Sequence, residues 1–259
     1  MNKKFIILLP ILLSLIFSCS AKKEYSKTNP RKLKPGSAKY LLNEGIYYLN
    51  NGDIDLAEKK LTQALTKEPS LLGAINGLGI VYLNKREFDK AVKQFRRVIQ
   101  MNPKIVDAYN YLGVIFTETG KYELAKENLL IAANSEYYKT PENAYANLAL
   151  LEVNHNKTNS ALRYIEKGLA HNKNFPPLYN IKGIIHENMK EYKRAIYYYE
   201  KALSLLTEDD VSYLVNIGRT YSKMGEKNKA LDILEKALPK AYNQKFRDQI
   251  RKMIQELEK

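Results

Sequence analysis

Nucleophiles, proton carriers and metal ligands are scarce in this sequence. Its 259 residues hold one Cys and three His, too few for a disulfide framework or a multi-Cys zinc or iron–sulfur site. His155, His171 and His186 fall in different predicted helices or turns, with no ligand spacing around them, so structural roles are expected for all three. No Walker loop, GxGxxG, HExxH, GxSxG or CxxC motif occurs. The expectation is a non-enzyme with no cofactor, no metal and no small-molecule substrate. Two features keep chemistry of another kind. Cys19 has a thiol that can accept a lipid, and a recurring set of Asn carries amides that both donate and accept hydrogen bonds.

Cys19 closes a distinctive N-terminal segment. Lys3 and Lys4 precede an apolar run from Phe5 to Phe17, broken by Pro10 and Ser14. At about 1.5 Å per residue this run is too short to span a hydrocarbon core about 30 Å thick. It has the length and flanks of a signal-peptide core. Leu15-Ile16-Phe17-Ser18-Cys19 resembles a bacterial lipobox, with Phe17 bulkier than the usual residue. The resemblance implies that 1–18 is a lipoprotein signal peptide and that Cys19 becomes an acylated, palmitate-bearing N-terminus. Several chains anchor firmly because each buried CH₂ contributes about 0.8 kcal/mol. Residues 19–37 then carry six Lys or Arg against one Glu, with two Pro, the composition of a disordered basic tether.

The elements that position the Asn series repeat along the chain. Gly45, Gly79, Gly113, Ala149, Gly183 and Gly218 are spaced by 34, 34, 36, 34 and 35 residues. Twelve residues after each lies an Ala: Ala57, Ala91, Ala125, Ala161, Ala195 and Ala230. Four further on stand Leu61, Phe95, Leu129, Ile165, Tyr199 and Leu234. Such a period outranks other fold signals. Leu41, Gly45 and Tyr48 share one helical face, Asn51-Gly52-Asp53 breaks the helix, and Ala57, Leu61 and Ala64 resume the spacing. The units are helical hairpins that must stack to bury both faces.

This pattern resembles the tetratricopeptide repeat, on Tyr109, Gly113 and Phe116 followed by Ala125, Leu129 and Ala132, and on Ile75, Gly79 and Tyr82 followed by Ala91, Phe95 and Val98. The resemblance implies an all-α, right-handed solenoid of six helix-turn-helix repeats over 38–71, 72–105, 106–141, 142–175, 176–210 and 211–244. Residues 245–259, with Phe246, Ile250, Met253, Ile254 and Leu257 on one face, form a C-terminal capping helix. Glu44 and Lys182 replace the usual Leu, and Glu152 and His186 the usual Tyr. Partial exposure or local repacking is expected at these four. The family's binding surface is a groove lined by the first helices. Matching positions place Asn76, Ile80, Asn84, Asn110, Val114, Leu150, Asn180 and Ile184 there, offering amides to a peptide backbone and aliphatic contacts to its side chains.

The formal charge of +14 suggests an anionic partner until its placement is considered. The repeats carry −1, +5, −2, +1, −1 and +3 in order, not the continuous basic track that nucleic acid requires. Lys85, Arg86, Lys90, Lys93, Arg96 and Arg97 form one dense cluster, read as a solvated face. Tyr137-Tyr138 and Tyr197-Tyr198-Tyr199 are read as packing residues rather than base-stacking platforms.

A leader, a tether and six repeats resemble the type IV pilus biogenesis lipoproteins (PilF/PilW-like pilotins). The resemblance rests on Gly45-Ile-Tyr-Tyr-Leu-Asn-Asn-Gly-Asp-Ile-Asp-Leu-Ala57 and on the longer connection Ser135-Glu-Tyr-Tyr-Lys-Thr-Pro-Glu-Asn143. It implies a lipid-anchored envelope adaptor that binds a secretin or another envelope protein. Ser20 after the Cys implies the periplasmic face of the outer membrane. The alternative expectation is a general scaffold for outer-membrane protein assembly or cell-wall enzymes.

Overall fold

The computed structural model describes residues 34–259. The leader, Cys19 and residues 19–33 of the tether lie outside the described residues. Thirteen α-helices follow in order among the described residues. They are α1 (Ala38–Asn50), α2 (Ile54–Lys67), α3 (Leu72–Asn84), α4 (Phe88–Met101), α5 (Asp107–Glu118), α6 (Tyr122–Asn134), α7 (Pro141–Asn154), α8 (Thr158–His171), α9 (Pro176–Asn188), α10 (Tyr192–Leu203), α11 (Val211–Lys223), α12 (Lys227–Ala237) and α13 (Gln244–Glu258). Among the described residues the chain divides into two compact units, 34–147 and 148–259.

Within the first unit α1 packs on α2, α3 on α4 and α5 on α6, and each hairpin packs on the next. The crossing in every hairpin is made by the small residue and the large residue sixteen positions later. A Cβ added at Gly45 would lie 2.6 Å from Leu61 Cγ, and one at Gly113 2.4 Å from Leu129 Cγ. At Gly79 the obstacle is the Phe95 ring, at 2.6 Å. Real Cβ atoms do not approach so closely, so these helices cross at a distance only glycine permits. Leu61, Phe95 and Leu129 are fully buried, as are Ala57, Ala91 and Ala125.

The second unit repeats the rule with different side chains. A Cβ added at Gly183 would lie 2.4 Å from the Tyr199 ring, and one at Gly218 2.8 Å from Leu234 Cγ. Tyr199 and Leu234 are fully buried. The unit ends on α13, which buries Phe246 and Ile250 against α12 and α11. Its start is fixed by Asn243, whose side chain accepts from the Phe246 amide at 2.8 Å.

The six hairpin turns share one backbone feature. Seven residues after the small residue stand Gly52, Arg86, Gly120, Asn156, Lys190 and Gly225, with φ of 80°, 60°, 71°, 58°, 62° and 77°. This left-handed conformation is free for Gly, tolerated by Asn, and strained for Arg and Lys.

At Glu152 full burial excludes the first of the two alternatives, partial exposure. One expectation changes in detail. Of the tyrosine runs, Tyr138 and Tyr199 are buried but Tyr137 and Tyr197 are 49% and 61% exposed. In helix α10 residues two positions apart point to different sides. Tyr197 therefore faces outward when Tyr199 faces in.

Candidate functional site

Asn76, Asn110 and Asn180 lie on the first helices of the second, third and fifth hairpins, each three residues before the small residue. The structure brings these amides to the neighbouring repeat. In the first unit Asn110 is 3% exposed, and its Oδ1 accepts from Asn147 Nδ2 at 2.9 Å. In the second unit Asn180 is 1% exposed and accepts from Asn216 Nδ2, again at 2.9 Å. Asn147 and Asn216 each sit two residues before their own small residue, so each bond joins one register to the next register of the following repeat. Asn76 is also buried, but its Oδ1 has no hydrogen-bond partner among the described residues. Tyr111 stands at the register that Asn147 and Asn216 fill elsewhere. The expectation of free amides on an open groove is corrected at Asn110 and Asn180, whose side-chain oxygens bind their neighbours.

The aliphatic members are withdrawn too. Ile80, Val114 and Ile184 are 6%, 8% and 3% exposed, and Leu150 is half-buried. Asn84 is exposed, and its amide caps its own helix by donating to the Ile80 carbonyl at 2.9 Å. At the C-terminal ends of four first helices Asn84, Asn154, Asn188 and Lys223 stay exposed.

Half of the dense basic cluster of the second repeat is tied to its neighbours. Lys85 Nζ lies 2.6 Å from both Asp55 Oδ1 and Glu58 Oε2. Arg86 reaches Glu118 at 2.8 Å, and Arg97 donates to the Pro69 carbonyl at 2.6 Å. The Glu118 side chain is 6% exposed. Burial raises its pKa above the usual carboxylate range, and the single Arg86 contact only partly opposes this.

A second buried carboxylate is met differently. Glu187 on α9 has a side chain 3% exposed. Its Oε1 accepts from Arg219 Nε at 2.9 Å and from Lys223 Nζ at 2.7 Å. Its Oε2 accepts from Arg219 Nη2 at 2.8 Å and from the Tyr199 hydroxyl at 2.7 Å. Burial pushes this carboxyl upward, but the Arg219 guanidinium, the Lys223 ammonium and the Tyr199 hydroxyl outweigh it and hold the pKa at about 2. Sequence reasoning missed this hub. Its signal was Arg219, the one charged residue at a register that is otherwise aliphatic (Ile46, Ile80, Val114, Leu150, Ile184).

Beside the hub, at the turn from α9 to α10, an open recess of about 510 Å³ is lined by Lys190, Glu191, Tyr192, Lys193, Arg194 and Met224. Glu191 Oε2 accepts from His186 Nδ1 at 2.7 Å and from Arg194 Nη1 at 3.0 Å. These two contacts, His186 first, depress its pKa. His186 stacks on Tyr198, with ring centroids 5.0 Å apart. The imidazole is thus spent on packing and on one carboxylate. Among the described residues no three His, Cys, Asp or Glu side chains are grouped to hold a metal ion.

Comparison with known proteins agrees with this architecture. A tetratricopeptide-repeat profile matches residues 76–144 and a second matches 177–242. No curated protein matches. Among solved structures, PilF of Pseudomonas aeruginosa is 21% identical with a TM-score of 0.62, over 83% of this chain and 97% of that one. PilW, described as a widely conserved type IV pilus biogenesis factor, is 18% identical with a TM-score of 0.65, over 77% and 91%. A tetratricopeptide repeat protein from Parabacteroides merdae is 18% identical with a TM-score of 0.74, over 87% and 86%. Identities this low establish the fold alone. With the repeat register, the glycine crossings and both profile matches in agreement, the chain belongs to the tetratricopeptide-repeat family.

Proposed function

We propose that the protein is a lipid-anchored adaptor of the cell envelope, acting in type IV pilus biogenesis by binding a secretin. Tetratricopeptide repeats serve protein–protein interaction, and no catalytic family is indicated. The observation that carries the envelope reading is the short apolar run of 5–17 ending at the lone Cys19. The likeness in fold to PilF and PilW supports the pilus assignment. Acylated Cys19 holds the array at the membrane, the basic tether lets it range from the surface, and the repeats grip the partner. Its membrane is the outer one, on the periplasmic face.

The test is cross-linking in intact envelopes, followed by co-purification and mass measurement of the chain. Recovery of a secretin with an acylated wild-type chain is expected, along with loss of membrane retention in Cys19→Ala. A wild-type mass without lipid, or a Cys19→Ala chain retained in the membrane, overturns the anchor. Recovery of barrel-assembly or cell-wall proteins instead of a secretin overturns the pilus assignment.

A further inference from the structure

Accessible charge on the second unit is uneven. The hub gathers two cations on one carboxylate, so Arg219 and Lys223 leave one positive charge uncompensated. Their side chains are 23% and 46% exposed, so part of each stays open to solvent. The adjoining recess adds Lys190, Lys193 and Arg194 against Glu191 alone. Five cations against two carboxylates give this region a net charge of +3. Lys190 and Lys193 have no ion pair among the described residues. In the second repeat, by contrast, Lys85, Arg86 and Arg97, half of the cluster, are already tied to the repeats on either side.

Backbone conformation points to the same place. Lys190 occupies the left-handed turn position, at φ 62°, where Gly or Asn would be strain-free. At the equivalent turn Arg86 has Glu118 to hold, whereas the Lys190 side chain has no ion pair among the described residues. Glu187 acts as a positioning residue. It fixes Arg219 bidentately and draws Lys223 to the same carboxylate, so both cations are set before any partner arrives.

The geometry points to a docking site for an acidic segment of a partner protein, seated over Lys190, Lys193, Arg219 and Lys223. This names the chemistry of the partner and rests on the adaptor reading above. A carboxylate-bearing side chain can enter the recess and meet Lys190 and Lys193, while flanking acids meet the exposed parts of Arg219 and Lys223. A flat membrane surface would touch the outer lysines but not the largely covered guanidinium, so a peptide is the better fit.

The test uses the full-length chain in detergent and a fluorescent dodecapeptide of alternating Glu and Ala, with Gln–Ala and Lys–Ala counterparts. Anisotropy at low salt should show binding of the Glu peptide only, weakening at least tenfold at high salt. The exposed double variant Lys190→Asn/Lys193→Glu, checked for an unchanged melt, should lower affinity at least tenfold. Lys93→Glu/Arg96→Glu should leave it unchanged. Equal binding of the Glu and Gln peptides overturns the site, as does loss only in the second-repeat variant. So does a result in which phosphatidylglycerol vesicles, but not the peptide, distinguish wild type from Lys190→Asn/Lys193→Glu. No envelope partner enters this assay, so its failure leaves the cross-linking result standing, and the reverse also holds.

Discussion

Glu118 in the first unit and Glu187 in the second are almost equally buried, with side chains 6% and 3% exposed. Their titration shifts in opposite directions. Glu118 meets one guanidinium, itself 57% exposed. Glu187 meets a guanidinium through two nitrogens, an ammonium and a phenol. Burial alone therefore says little about a carboxylate. The number and fixity of its donors decide whether its charge is tolerated or stabilised. The first unit uses its acid as a tie between repeats, and the second uses its acid to hold cations in place.

Removing each acid gives the largest expected contrast. Glu187→Ala leaves Arg219 and Lys223 crowded without a counter-charge and should cost about 3–5 kcal/mol. Glu118→Ala frees an already hydrated Arg86 and should cost less than about 1 kcal/mol. Urea unfolding of both variants measures the gap, and equal losses would erase the distinction.

Acid titration sharpens the same contrast. Glu187 has a folded pKa of about 2, below its unfolded value near 4.3. Its contribution, roughly 3 kcal/mol, is fully present above about pH 5 and is lost as pH falls toward 2. Glu118 is raised on folding, so its ionisation opposes folding above its folded pKa, and that opposition fades on acidification. Unfolding midpoints at pH 7 and pH 3 should therefore converge in Glu187→Gln relative to wild type. Glu118→Gln should leave the acid loss intact.

A control on the comparison lies in what the units share. Gly113→Ala and Gly183→Ala place a Cβ 2.4 Å from Leu129 and Tyr199 respectively. Each should lose about 1–3 kcal/mol by overpacking, and thermal melts should rank them together. A smaller difference is expected within the Asn ladder. Asn110→Ala strands the buried Asn147 amide and should cost about 1–2 kcal/mol. Asn76→Ala removes an oxygen that bonds to nothing and should cost about 0.5 kcal/mol or less. Melts of the two variants test this ordering.

The helical register was open to reading because small residues, Ala and large residues recur with one role each. Gly45 and Leu61 or Gly183 and Tyr199 are sixteen apart wherever they occur. The ladder was half legible. Asn76, Asn110 and Asn180 recur visibly, but their burial depends on a different register of the next repeat. That is why Asn147 and Asn216 escaped notice and the amides were expected to be free. The charged hub was hidden for a related reason. Arg86–Glu118 and Glu187–Arg219 both join residues 32 apart, a separation that no local helical spacing suggests. The N-terminal anchor was read from composition and a motif, on residues the structure does not describe.

The six left-handed turn residues carry a consequence for how such a chain can change length. The interval from small residue to turn is seven in all six hairpins, whereas the interval between successive small residues varies from 34 to 36. A single insertion before the turn would push an arbitrary side chain into a conformation most L-residues resist. The same insertion in a connection between hairpins meets no such demand. Growth and loss should therefore occur by whole hairpins, with odd residues collecting only at the joints. The longer passage from Ser135 to Thr140 is one such joint.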